Sequence, residues 1–312
     1  MENRDLQYFV VIAEHHNLGR AAEALNLSAT ALSKCLRRLE KSVGAKLIQR
    51  APKGIALTTV GAALLTRIGP LQGMMADVRH EAADLAQGHA GHIHVGATTG
   101  AAENFIADAC ISLFKESSRI TLEVTVAEAP TLGTLLYKGD VDFCVAGIQQ
   151  FSQTDFVRQR LYDDQFVVFA SANHRLASFK QVSLVDIASE RWTAIDNTSR
   201  PHWQIMSRVF ENSGLPPPSV ALDTNSQAVR MQTVAYSDFL GVISRQLLRL
   251  EAHRFPLVEL PVRELSLARH MSIIYRKGAY LSPAATRLIE ILKTQVKEIS
   301  DGGLGEPGSK RA

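Results

Sequence analysis

The sequence predicts an α+β multidomain chain in three parts: an N-terminal winged helix-turn-helix, one long linker helix, and a two-lobed α/β domain. Three observations carry this. Residues 17–53 hold two short amphipathic helices joined by a tight turn and followed by a basic hairpin. A narrow apolar stripe then continues through residues 58–88, and beyond Gly91 strands alternate with helices.

The first helix, Leu6 to His15, presents Leu6, Phe9, Val10 and Ala13 to a common core. Asn17 caps a short second helix with Leu18, Ala21, Ala22 and Leu25 on one face, and Asn26 ends it as a turn-tolerant residue. Ser28 caps a third helix whose Leu32, Leu36, Leu39 and Val43 form one buried stripe. The alanines of the second helix permit the close crossing that a helix-turn-helix needs. Lys46–Arg50 and Gly54–Leu57 then form two short strands around Ala51-Pro52-Lys53, a wing.

Thr58 caps a long helix reaching about Gly88, with Val60, Leu64, Ile68, Leu71, Met75, Val78, Ala82 and Leu85 at nearly heptad spacing. So narrow a stripe on so long a helix requires a partner helix. The simplest is the same helix of a second copy, paired through Val60, Leu64, Ile68, Leu71, Met75 and Val78. Pro70 removes one amide donor and predicts a kink near Thr66.

After the hinge Gly88–Gly91, strands are expected at Ile93–Thr98, Ile120–Ala127 and Val141–Ala146, with helices at Gly100–Lys115 and Leu132–Lys138. This βαβαβ order predicts a mostly parallel sheet. A second unit follows, with strands near Gln165–Ala170, Thr193–Ile195, Val220–Leu222 and Leu240–Ile243 and helices near Trp203–Asn212 and Gln227–Ala235. His270–Tyr275 returns the chain to the first sheet, and the helix Pro283–Ile299 closes it. The expected domains are 1–60, the linker 58–88, and 92–300. Within the last, lobe I takes 92–162 and 268–300 and lobe II takes 163–267. The Gly-rich tail 301–312 is expected to be disordered.

Bulk properties narrow the function. A chain of 312 residues with 46% apolar and 21% charged content is globular, and no apolar run is long enough to span a membrane. The polar N-terminus lacks a secretory core, and three unevenly spaced cysteines fit a reducing cytoplasm. Residues 1–60 hold nine Lys/Arg against five Asp/Glu, a net +4, although the whole chain is only +3. Positive charge is therefore concentrated on the helix-turn-helix. Its third helix turns Ser28, Thr30, Ser33, Lys34 and Arg37 away from the core, and Arg50 and Lys53 lie on the wing. Short hydroxyls near a helix start suit base edges in a major groove, and the cations suit phosphates on either side. The expected partner is double-stranded DNA. Arg38, on the flank, has a carboxylate such as Glu14 or Glu23 as a competing partner.

In the α/β domain, ligands are expected outside the carboxyl ends of the strands. Thr98-Thr99-Gly100 joins the first strand to its helix, and its amides and hydroxyls form a receptor for a small carboxylate; the same hydroxyls could equally cap the helix. Cys110 and Cys144 fall among apolar residues and read as small core residues, while Cys35 lies beside the cations Lys34 and Arg37; a redox role for the cysteines is the lesser reading. His89, His92 and His94 lie in or beside the hinge without a supporting carboxylate, so a solvated connector is expected and no metal. No phosphate loop, nucleophile elbow or metalloprotease helix occurs, so neither a cofactor nor enzymatic activity is expected.

From Leu6 to about Lys297 the chain resembles the LysR-type transcriptional regulators. The motifs are AAEALNLSATALSKCLRRLEKSVGAKLIQR, PKGIALTTVG, GDVDFCVAG and LSPAATRLIEIL. The resemblance implies a co-inducer domain like the periplasmic binding proteins, and a dimer of dimers on promoter DNA. It further implies a small-molecule effector between the lobes and recruitment of RNA polymerase. It also implies ligand contacts at Glu128, at Gly147, at Asn197 and Thr198, and at Asn225 and Ser226. The chain departs from the family pattern after the capping Ser28, where Ala29 and Thr30 replace Gln and Pro. Ala offers only an apolar contact to a thymine methyl where Gln would pair with adenine. Ile48 stands for the usual Phe, and Asn17 and Leu18 for Ser and Phe. Two competing functions are a constitutive DNA binder without ligand and a small-molecule-binding α/β protein whose N-terminal bundle only mediates assembly.

Overall fold

The computed structural model of the chain describes residues 2–52, 54–87, 91–147, 155–194 and 201–301. Lys53, Asn197, Thr198, His89 and the tail from 302 lie outside them. The described chain forms two compact units, one of residues up to Ala83 with Thr134–Asp140, the other of the remainder.

The first unit contains α1 (Asn3–His15), α2 (Leu18–Ala24), α3 (Ala29–Val43), the hairpin β1 (Ile48–Ala51) and β2 (Gly54–Leu57), and α4 (Thr59–Gln87), which extends past it. Asn17 accepts from the Gly19 and Arg20 amides and Ser28 from Ala31, so both caps form as the sequence predicts. Asn26 sits at φ 52°, the left-handed conformation that lets the chain reverse between α2 and α3. Leu6, Phe9, Ile12, Ala21, Ala22, Leu32, Leu36, Leu39, Leu47 and Ile68 make one core.

The wing starts two residues later than expected because Lys46 and Leu47 are already engaged. The Leu47 amide donates to the Glu40 carboxylate at 3.0 Å, and Thr58 Oγ1 donates to the Lys46 carbonyl at 2.7 Å. Gly54 closes the hairpin at φ 126°, and a Cβ there would stand 2.4 Å from the His16 carbonyl oxygen. Only glycine fits.

Glu40 also accepts from Lys46 Nζ at 2.7 Å. Its burial opposes ionisation, but the Lys46 ammonium and the Leu47 amide more than offset this and hold the carboxyl below its ordinary range. A lowered acid pKa stabilises the fold above the unfolded carboxylate range, and that stability is lost as pH falls through the lower folded value. Glu40→Gln is therefore expected to lower the stability of this unit at pH 7 by about 1.5–3 kcal/mol. The difference from wild type should shrink below pH 4, as checked by thermal unfolding across pH.

Helix α4 is continuous through Pro70. The carbonyl of Thr66, four residues earlier, loses its amide partner to the proline ring and instead accepts from Tyr137 Oη at 2.7 Å. Gly69 makes room, since a Cβ there would lie 1.9 Å from the Tyr137 ring. Of the residues expected to pair two copies, Val60, Leu71, Met75 and Val78 are exposed, as are Met74 and Leu85. Leu64 is partly packed on the core. Ile68 corrects the expectation: at 1% exposure it is taken into this unit's own core and has nothing left to offer a partner helix.

The second unit opens with β3 (His92–Ala97) and a helical run, α5 (Thr99–Ala101), a π-turn (Ala102–Ile106) and α6 (Ala107–Glu116). Next come β4 (Thr121–Val126), α7 (Ala129–Lys138, whose end belongs to the first unit), β5 (Phe143–Gly147) and the sixteen-residue β6 (Phe156–Ser171). The second lobe adds α8 (Leu184–Ile187), β7 (Arg191–Ala194), α9 (Pro201–Asn212), β8 (Ser219–Asp223), α10 (Gln227–Ala235), β9 (Leu240–Ser244), α11 (Arg245–Glu251) and β10 (Leu257–Leu260). β11 (Leu267–Arg276) and α12 (Pro283–Asp301) end it.

The strand order is β4-β3-β5-β11-β6-β9-β7-β8, with β10 beside β6. Neighbours β4-β3-β5 are parallel, as are β9-β7-β8, but β11 and β6 run antiparallel to each other and to their neighbours β5 and β9. The sheet is therefore mixed rather than mostly parallel. Ile93, Val95, Phe143, Val145, Leu113 and Leu288 belong to one core. In the second lobe alternate residues of β6 point to opposite faces. Val168 and Ala170 join Trp192 and Phe210, while Val167 and Phe169 join Met231 and Val234. No described helix is long and apolar enough to cross a membrane.

Candidate nucleic-acid interface and effector site

Helix α3 is held from below by Leu32, Leu36 and Leu39, which leaves Ser28, Thr30, Lys34 and Arg37 exposed and Ser33 half-buried. Cations three residues apart share one helix face. Arg50 is exposed on β1, opposite Ile55. Arg38 is turned away: its Nε and Nη2 donate to the buried Asp5 carboxylate at 2.7 and 2.5 Å, and Glu2 lies 3.2 Å off. The carboxylates raise the Arg38 guanidinium above its ordinary range. Its partners are thus Asp5 and Glu2 at the start of the chain rather than Glu14 or Glu23, and the Asp5 pair ties α3 to the first turn of α1. Lys46, overlooked in the sequence, is also exposed at the wing base. Its pairing with Glu40 depends on Gly44, whose φ of 76° turns the chain back on α3.

In the second unit, Thr98 follows β3, Glu128 follows β4 and Gly147 ends β5, so all three lie at the carboxyl ends of adjacent parallel strands. The Thr98 amide donates to the Val145 carbonyl at 3.2 Å, and Ala127 to Ala97 at 3.1 Å. Thr98 does not cap the helix with its side chain; its Oγ1 is buried without a hydrogen-bond partner among the described residues. The capping alternative for this hydroxyl is thereby removed. A buried hydroxyl left unpaired is costly and invites a ligand atom. The π-turn that follows is a deformation frequent at functional sites.

Sequence reasoning overlooked what faces this turn. A Cβ at Gly100 would meet Arg269 Nη2 at 3.5 Å and Ser244 Cβ at 4.0 Å. Arg269 on β11 donates from Nε and Nη2 to Asp164 Oδ2 at 2.9 and 2.6 Å, and Ser244 Oγ donates to the same oxygen at 2.7 Å. The Asp164 side chain is fully buried, Arg269 is partly buried, and the guanidinium lies over the Phe166 ring at 4.4 Å. Register makes this set, because Arg269 pairs directly with Asp164 across two antiparallel strands. No local motif announces it, since the partners are 105 residues apart. Tyr162, beside Phe105, is pushed upward by burial, and its hydroxyl has no described hydrogen-bond partner. A cavity of about 510 Å³ is lined by Phe105, Arg160, Leu161, Tyr162, Asp163, Gln246 and Val296, and not by Thr98, Gly100, Glu128, Gly147 or Arg269.

Other predicted ligand residues gather less. Ser226 is occupied in capping α10, accepting from Val229, and Asn225 is exposed. Cys110 and Cys144 are raised by burial and act as packing residues. Cys35 lies 3.9 Å from Arg38 Nη2.

Residues 3–62 match the family model described as bacterial regulatory helix-turn-helix protein, lysR family, and residues 86–297 match the LysR substrate binding domain. The chain is 29% identical over 296 residues to the RuBisCO operon transcriptional regulator of Allochromatium vinosum, covering 94% of this chain and 95% of that one. It is 22% identical over 300 residues to the dual regulator OxyR of Escherichia coli K12, covering 95% and 96%. Among solved structures it is similar to CbnR, a LysR family transcriptional regulator, with a TM-score of 0.57 at 17% identity over 95% of this chain and 99% of that one. It also resembles full-length CbnR in complex with target DNA, with a TM-score of 0.55 at 17% identity over 94% and 99%. The two family models together span nearly the whole described chain in the order that the fold requires, and the chain belongs to the LysR family: it is a DNA-binding transcriptional regulator with an effector-binding domain.

Proposed function

We propose that this regulator grips promoter DNA with Ser28, Thr30, Ser33, Lys34 and Arg37 of α3 and with Arg50 and Lys53 of the wing. Two copies pair along α4 through Val60, Leu71, Met75 and Val78, with Leu64 at the margin, and two such dimers make the tetramer. A small carboxylate enters at Thr98, Thr99 and Gly100, against Arg269, with Glu128 and Gly147 at the rim and Asn197, Thr198, Asn225 and Ser226 contributing from the second lobe. Its binding alters how the complex presents promoter DNA to RNA polymerase in the cytoplasm.

One observation supports this reading above others: α3 buries one face completely and leaves a row of hydroxyls and cations on the other. The exposed row Leu71, Met74, Met75, Val78 and Leu85 supports pairing, because a lone soluble helix would not keep so many apolar residues in water. Met75→Glu combined with Val78→Glu is expected to convert the protein to monomers in light scattering. It should also weaken promoter binding by at least 100-fold, since each half-site then binds alone. A dimeric double variant that binds DNA normally would remove α4 from the interface.

A further inference from the structure

We infer that His92, His94 and Glu123 form a site for one divalent cation of the Zn²⁺ and Co²⁺ class. The reading goes beyond DNA and effector binding and depends on neither. His92 and His94 are two residues apart on β3 and so share a face, and in the parallel register Thr121 and Glu123 of β4 stand opposite them. Their three candidate donor atoms lie within 4.8 Å of one another. His92 Nε2 is 3.0 Å from His94 Nε2, which is 2.8 Å from Glu123 Oε2. Two nitrogens each about 2.0–2.1 Å from one zinc ion stand about 2.9–3.4 Å apart for coordination angles of 90–110°. The imidazole pair already has that spacing. The supporting carboxylate absent from the local sequence comes from the neighbouring strand.

Protons alone serve this trio poorly. A neutral imidazole nitrogen carries either a proton or a lone pair. If His94 Nε2 holds a proton for Glu123, that proton must be shared with His92; if it accepts from His92, its lone pair faces a carboxylate. A cation satisfies all three at once. Thr121 Oγ1 lies 2.6 Å from His92 Nδ1; in the tautomer that a metal requires, Nδ1 donates to this hydroxyl and the Nε2 lone pair points toward the centre. That is the orienting contact typical of metal-bound imidazoles. Two histidines and one glutamate leave a fourth position for water, the donor set of open zinc sites. A bound ion would also cross-link β3 to the edge strand β4.

The test uses the full chain without a polyhistidine tag, titrated with Co²⁺ and followed by visible absorbance, then with Zn²⁺ in competition. One equivalent of Co²⁺ is expected to give tetrahedral bands that Zn²⁺ bleaches. His94→Gln should abolish them, the isosteric and exposed Glu123→Gln should weaken binding at least tenfold, and Thr121→Val should weaken it about 10–100-fold. His253→Gln, at an exposed histidine elsewhere, should change nothing. Circular dichroism checks that each variant is folded. Absence of binding at 100 µM metal (about 10⁻⁴ M, far weaker than structural zinc) overturns the proposal, as does binding that survives both His94→Gln and Glu123→Gln unchanged.

Discussion

Lys34→Ala combined with Arg37→Ala is expected to reduce promoter affinity on the order of a thousandfold at 0.1 M salt. Each cation on a phosphate releases counterions, so the logarithm of the binding constant falls by about 0.9 per phosphate for each tenfold rise in salt. A dimer carries each substitution twice and loses four cations. The slope of affinity against salt should therefore flatten by about 3–4 for each dimer bound to its half of the promoter, and the wild-type and variant curves should converge toward 1 M. Both side chains are exposed and away from the core, so the melting temperature should be unchanged. Fluorescence anisotropy with promoter DNA across a salt series measures the slope directly. An unaltered slope would show that α3 does not meet phosphates.

Arg269→Met is expected to destabilise the second unit by about 3–5 kcal/mol, because it strands the Asp164 carboxylate, which has no exposed surface. The loss is electrostatic rather than steric, so Asp164→Leu added to Arg269→Met should restore most of it. The double variant then separates two roles. With stability recovered, it should still fail to gain thermal protection from carboxylate metabolites that protect wild type, where a ligand at 100 times its dissociation constant adds about 2.7 kcal/mol. Recovery of both stability and protection would move the effector away from Gly100. Persistent instability in the double variant would show that the pair holds β6 to β11 by more than charge.

The helix-turn-helix was legible because its determinants are local. Caps at Asn17 and Ser28, the reversal at Asn26 and the stripe Leu32, Leu36, Leu39 each act within a few residues, and each forms as read. The α/β alternation was legible for the same reason, although β6 proved far longer than the segment Gln165–Ala170, and α8, α11 and β10 went unforeseen. Phe156–Tyr162 alternates polar and apolar residues too irregularly to announce a strand. Its extended form comes from pairing with β11, not from its own pattern.

What the sequence determined by itself was therefore the periodicity and punctuation of the elements, the surplus of cations around α3 and, through these, membership of a family of DNA-binding regulators. Tertiary structure alone decided which groups meet at a distance in sequence: Asp164 with Arg269 and Ser244, Glu123 with His92 and His94, Tyr137 with the carbonyl that Pro70 leaves bare, and Ile68 with the core rather than a second copy. The reason is geometric. Helix periodicity and capping are short-range and written in adjacent residues, whereas strand register joins positions a hundred residues apart, and a shift of one residue would exchange every partner.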